Sequence, residues 1–146
     1  MANIFNVARY ILEHKGDMSA WKLQKLCYYS QAWSLAWTEK PIFDEDFEAW
    51  ANGPVCPELF RVHKGEFIVS LKDIPPELED NLLLSEDQTE TIERVLEHYG
   101  DCEPYKLREQ THSEAPWKNA RGELPDGVPG DAVISKDSLG EYYGSL

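Results

Sequence analysis

Between residues 4 and 15 the apolar side chains fall at Ile4, Val7, Ala8, Ile11 and Leu12. This is the i, i+3, i+4, i+7, i+8 stripe of an amphipathic helix. Gly16 follows as its stop, and Asp17 or Ser19 offers a side-chain oxygen to cap the next helix. The second helix is predicted from about Ala20 to Trp37. Leu23, Leu26, Cys27, Ser30, Trp33 and Trp37 share one of its faces, and Tyr28, Tyr29 and Ala32 widen the apolar surface. A helix that is apolar nearly all round belongs at the centre of a fold.

Lys40-Pro41 ends the helical pattern, because proline disfavours the α conformation in the residue before it. Two short apolar pieces then flank Asp44-Glu45-Asp46, which predicts a small β-hairpin over residues 41–53 with the acidic residues at its turn. Asn52-Gly53-Pro54 is a second turn, with glycine free to take positive φ and proline fixing the next angle. Pro57 opens a short helix through His63, and Pro75-Pro76 breaks the chain. Ser85 and Gln88 match a capping box ahead of the stripe Ile92, Val95, Leu96 and Tyr99. Shorter helices follow over 104–110 and 114–120, with a corner at Thr111-His112-Ser113. A glycine- and proline-rich loop occupies 121–131, and Ser135 caps a last helix through Tyr143. Leu23, Leu26, Trp33, Ile92, Val95 and Leu96 are the expected core. The fold class is mainly α (α+β), one helical domain over residues 1–146 with a small hairpin.

Charge alters the functional picture. Fourteen Lys and Arg face 27 Asp and Glu, a net charge of −13. The imbalance is uneven: residues 1–63 carry six basic and eight acidic side chains, residues 64–146 eight and nineteen. A nucleic-acid backbone would repel that second half, so direct nucleic-acid binding is not expected, whereas a basic protein partner suits the sign. No stretch approaches the ~20 apolar residues of a membrane span, and the first residues lack the basic and apolar segments of a signal peptide. Cys27, Cys56 and Cys102 form no CxxC pair and read as free thiols in a reducing cytoplasm.

Candidate chemistry is sparse. His112, Ser113 and Glu114 are adjacent, but acyl-transfer catalysis needs side chains converging from separate positions, and capping of a helix explains the same letters. His14, His63, His98 and His112 lack metal-binding spacing, and Asp44-Glu45-Asp46 lacks the closing Glu of a calcium loop. No metal, no cofactor and no catalytic residue is expected. The five tryptophans are more informative, since Trp enriches both cores and binding hot spots. Trp50 beside Asn52-Gly53-Pro54, and Trp117 after Pro116, adjoin irregular backbone and are the interface candidates.

Three segments resemble the Panacea domain, the SocA-like antitoxin family. Lys22-Leu23-Gln24-Lys25-Leu26-Cys27-Tyr28-Tyr29-Ser30-Gln31-Ala32-Trp33 resembles the family's KLQKLLYYAQ-type helix. The run Pro41 to Leu59, containing Glu48-Ala49-Trp50 and Gly53-Pro54-Val55-Cys56-Pro57, is similar to its PLF…EAW…GPVVPEL stretch. Leu107 to Trp117, containing Thr111-His112 and Pro116-Trp117, looks like its L…TH…PW signature. Cys27 and Cys56 stand where the family usually has Leu and Val.

The resemblance implies an antitoxin of a bacterial or prophage toxin–antitoxin pair, cytoplasmic, neutralising a cognate protein toxin by direct contact. A protease adaptor that delivers the toxin to a AAA+ protease is the alternative within the family. A small enzyme using His112 and Glu114, with Asp44 or Glu45, is the alternative outside it. No helix-turn-helix extension is evident, so repression of an operon is not expected. Trp50, Asn52, Gly53, Pro54, His112, Glu114 and Trp117 are the expected toxin-binding residues.

Overall fold

The computed structural model describes residues 1–146. Helix α1 (Ile4–Lys15) begins at Asn3, whose side-chain oxygen accepts the Phe5 and Asn6 N–H groups. This satisfies donors that the first helical turn leaves unpaired. Strand β1 (Met18–Ser19) leads into α2 (Ala20–Thr38), where Ser19 Oγ accepts from Lys22 N–H. Thirteen of the nineteen α2 residues are buried, and α1, the hairpin and the helices over residues 86–99, 104–113 and 136–144 all pack on it. The helix ends on Glu39 in the left-handed conformation at φ 60°.

The hairpin exists, but in a different register from the one the sequence predicts. Its strands are β2 (Phe47–Trp50) and β3 (Gly53–Val55), paired Trp50 with Gly53 and Glu48 with Val55. The turn is therefore Ala51-Asn52, and residues 41–46 are an irregular lead-in. The acidic residues there have long-range partners instead: Glu45 Oε1 accepts Ile4 N–H at 3.1 Å, and Asp46 pairs with Lys136 at 2.7 Å. Pro54 is tolerated because β3 is the sheet's edge. On the other side of β2 lies β5 (Val133–Ile134).

Helix α3 (Pro57–His63) follows, then β4 (Ile68–Val69), which pairs with β1, and two 3₁₀ turns. Next come α4 (Glu86–Tyr99), α5 (Pro104–Ser113), α6 (Ala115–Arg121) and α7 (Lys136–Gly144). Helix α5 runs three residues past the expected end, so Glu114, not Thr111-His112-Ser113, forms the corner with α6. Of the expected core, Leu23, Leu26, Ile92, Val95 and Leu96 are buried. Trp33 is only partly buried, its indole N–H donating to Tyr99 OH at 3.0 Å. Trp37 is 49% exposed. No helix is long and apolar enough to cross a membrane.

The capping box at α4 forms as the sequence predicts. Ser85 Oγ accepts from Gln88 N–H and Gln88 Oε1 from Ser85 N–H. Ser85→Ala is therefore expected to cost about 1 kcal/mol, read as a lower urea midpoint at an unchanged slope.

Two glutamines two turns apart on α2 hold the hairpin segment. Gln31 Oε1 accepts Ile42 N–H at 2.8 Å while its amide donates to Phe43 O at 2.7 Å. Gln24 Oε1 accepts Cys56 N–H at 2.9 Å and its amide donates to Cys56 O at 3.2 Å. The same amide nitrogen lies 3.0 Å from His63 Nε2, and burial disfavours the charged form of that imidazole. Each side-chain amide thus stands in for a strand neighbour, supplying a donor and an acceptor to buried backbone that would otherwise go unpaired.

Candidate protein-binding site

The three segments singled out in the sequence meet at the Ala51-Asn52 turn. Lys25 enters from the middle of α2, 1% exposed, and its ammonium donates to Asn52 O at 2.9 Å. Gly53 has φ 119°, and a Cβ there would lie 2.9 Å from Lys25 Cε and 3.0 Å from Nζ. Glycine serves both demands, a left-handed backbone and direct packing on the lysine. From α6, Trp117 donates its indole N–H to Trp50 O at 2.9 Å. From α5, the His112 ring stacks on Trp117 at 3.9 Å with a 10° interplanar angle. Arg121 covers the indole too, 5.3 Å from the ring centroid. Its guanidinium donates to Ala49 O, Pro125 O and Val128 O, which fixes the loop after α6 against β2.

The expected site residues divide by accessibility. Trp50 and His112 are half-buried and Asn52 is exposed, so these three form the rim. The Trp50 ring stands edge-on to Phe60 at 5.0 Å, and its N–H donates to Glu48 Oε1 at 2.8 Å. Gly53, Pro54 and Trp117 lie behind the rim, buried, and support it. Glu114 is placed elsewhere. Its carboxylate points inward, Oε1 accepting from the hydroxyls of Tyr29 and Tyr143, both at 2.7 Å, and Oε2 from the Gln110 amide at 3.5 Å. Beside the rim is an open hollow of about 600 Å³ lined by Glu48, Trp50, Ala51, Asn52, Pro129, Gly130 and Asp131.

This geometry does not assemble an acid–base pair from the residues the sequence offered for one. No hydrogen bond joins His112 to Glu114, and Glu45 is engaged with the start of α1. No group of three or more His, Cys, Asp or Glu side chains is placed to hold a metal. Gln24, Lys25, Gln31 and Arg121 were not among the sequence candidates. Their signal was present for three of them: polar residues on an otherwise apolar helix must find partners when buried.

Burial lowers the proton affinity of Lys25 to about 7, and the nearby Arg108 charge pushes the same way. The unfolded chain keeps that proton to an ordinary lysine pKa of 10.5. Between roughly pH 7 and 10 the unfolded state therefore binds more protons, and this residue's effect on stability becomes more favourable as pH rises. Lys25→Met lacks the effect. The stability of wild type relative to the variant is expected to climb across that window in urea titrations, and a flat difference would refute the assignment.

What emerges is a small, mainly helical protein built around one central helix and one surface turn. The family model for the SocA-like antitoxin, Panacea domain, matches residues 23–118, a span that contains the hairpin, the α5–α6 corner and nearly all of α2. The chain belongs to that family. No match was found among curated proteins or among solved structures.

Proposed function

We propose that this chain is the antitoxin of a toxin–antitoxin pair and neutralises its cognate toxin by direct contact at the Trp50–Asn52–His112 rim. The observation that carries the reading is convergence. Segments of α2, the hairpin and the α5–α6 corner, all within the family match, come together at a surface turn beside an open hollow. The rim joins a half-exposed indole and an imidazole to an exposed amide. Aromatic anchors on a rigid support are the usual source of interface affinity. Stacking of His112 on Trp117, and the Trp117 bond to Trp50 O, hold that geometry before a partner arrives, which lowers the ordering cost of binding. The net charge of −13 adds long-range attraction for a basic toxin surface.

Co-expression is the test. A gene encoded beside this one is expected to arrest growth alone and to become harmless when this chain is present, with the two proteins copurifying. If no neighbouring gene slows growth, the proposal fails. The toxin's lifetime in the rescued cells separates the modes of action: unchanged lifetime supports occlusion, whereas accelerated loss overturns occlusion in favour of delivery to a protease.

A further inference from the structure

Although the chain carries a net charge of −13, an enclosed lysine and a nearby arginine stand behind its contact turn.

Lys25 is almost fully enclosed, yet its ammonium makes one hydrogen bond, to Asn52 O, and otherwise lies 5.6 Å from the centroid of the Trp21 ring. Burial disfavours the protonated forms of both Lys25 and His112; the charge of Arg108, exposed on α5, adds to this at both, and that of Lys25 adds to it at His112. Asp126 opposes them at the imidazole. The ion pairs within the chain engage Arg9, Lys15, Arg94 and Lys136, and none reaches Lys25 or Arg108. His112 Nε2 is shielded from solvent and forms no well-aligned hydrogen bond, with the Asn52 main chain beside the imidazole.

Enclosing an ammonium without a counter-charge costs several kcal/mol. A methionine would fill the same space on α2 without that cost, so packing alone does not account for a lysine there. Nor is the lysine a loose side chain, since the Gly53 backbone packs directly on its terminal atoms. The arrangement has the form of a positive site prepared for an anion, with low-polarity surroundings that strengthen the attraction.

We propose that this turn receives a carboxylate of the protein partner, an Asp or Glu side chain or a chain-terminal carboxylate, which docks on Arg108 over the Lys25 charge. The inference rests on the contact reading above and names the chemistry of the group that enters. A single negative charge fits better than a phosphate or a nucleic-acid backbone. Glu48 and Asp131 line the adjoining hollow, Asp126 faces the imidazole, and the whole chain carries −13, so repulsion grows with each added charge. Long-range steering and local docking then have opposite signs: the acidic surface attracts a basic partner, and the cationic turn selects the orientation in which an acidic group leads.

The test begins with the isolated chain. The titration of Lys25 is followed by NMR on protein carrying ¹³C-labelled lysine, in sodium acetate, sodium phosphate and sodium chloride at matched ionic strength. Acetate is expected to raise the Lys25 midpoint by roughly one unit over chloride, a tenfold preference for the protonated form, and Arg108→Gln is expected to abolish the rise. Equal midpoints in acetate and chloride overturn the proposal, as does a rise in phosphate without one in acetate. The second arm is growth rescue by Arg108→Gln. Loss of rescue with unchanged thermal unfolding supports the proposal, and full rescue overturns it while leaving the contact reading intact. Conversely, an acetate response in a chain whose wild type rescues no toxin removes the contact reading and keeps the anion site.

Discussion

Glu114→Ala is expected to destabilise the fold by about 2–4 kcal/mol, the cost of leaving buried neutral donors short of their acceptor. The Glu114 carboxylate is the acceptor for two enclosed hydroxyls, Tyr29 on α2 and Tyr143 on α7. Without it the Tyr29 hydroxyl is left in the core unpaired, at a cost of about 1–3 kcal/mol, and Tyr143 keeps only its 3.4 Å contact with the Tyr28 hydroxyl. The surrounding rings cannot turn away to reach water. Tyr29 stacks on Tyr99 at 4.0 Å, and Tyr28 and Tyr143 meet edge-to-face at 6.4 Å. The residue also sits between α5 and α6, so its bond to Tyr143 ties the corner carrying His112 to the last helix.

A pH series separates the carboxylate's charge from its packing. Desolvation raises the proton affinity of Glu114, with Tyr143, Tyr29 and Gln110 pulling it back as donors. The net direction is upward. The stability linked to this proton is fully present below the unfolded value near 4.5 and is lost as pH rises through the folded value. Glu114→Gln retains an acceptor oxygen and carries no titrating group. It is expected to lose less stability than Glu114→Ala and to lack that part of the pH dependence. Urea unfolding of the three proteins across mildly acidic pH measures both effects. A loss below about 1 kcal/mol for Glu114→Ala would mean that the tyrosine hydroxyls find other acceptors.

The helices were legible because their signals are local. Ser85 and Gln88, the stripe from Ile92 to Tyr99, and the all-round apolarity of residues 20–37 each depend on neighbours a few positions away. The hairpin register was not. Asp44-Glu45-Asp46 has the composition of a turn, but Glu45 and Asp46 answer to Ile4 and Lys136, 41 and 90 positions away. Strands β1, β4 and β5 have two residues each, too few for any alternation to register. The candidate site was half visible. Trp50, Asn52 and His112 could be picked from irregular backbone and composition, and they do share a rim. Glu114 could not be separated from His112 by sequence alone, because the extension of α5 through Ser113 decides which side chain faces the core. Lys25 was hidden for a related reason: a lysine on a helix normally extends to water, and here the Gly53 backbone closes over it.

Trp50→Ala is expected to weaken toxin binding by about 2–4 kcal/mol, roughly 30- to 1000-fold in Kd, as for an aromatic hot spot. The ring is half-buried, so the partner would complete its burial, and Phe60 and the Glu48 carboxylate already fix its orientation. Part of any loss of rescue could come from a weaker fold, and a second tryptophan controls for that. Trp37 is 49% exposed at the far end of α2, where Arg94 lies over its ring at 5.7 Å. Trp37→Ala removes the same side chain from a surface outside the rim and is expected to leave rescue intact. Affinity from calorimetry and unfolding midpoints, measured on both variants, distinguish the cases. If Trp37→Ala abolishes binding while Trp50→Ala retains it, the contact surface lies on the α2–α4 face. If Trp50→Ala loses binding and stability in proportion, the indole supports the fold and the Asn52 turn is not the contact. Loss of binding with a midpoint close to that of wild type is the outcome that a preformed rim requires, because its backbone is held from behind by Lys25, Trp117 and Arg121 through bonds to main-chain oxygens that the substitution leaves in place.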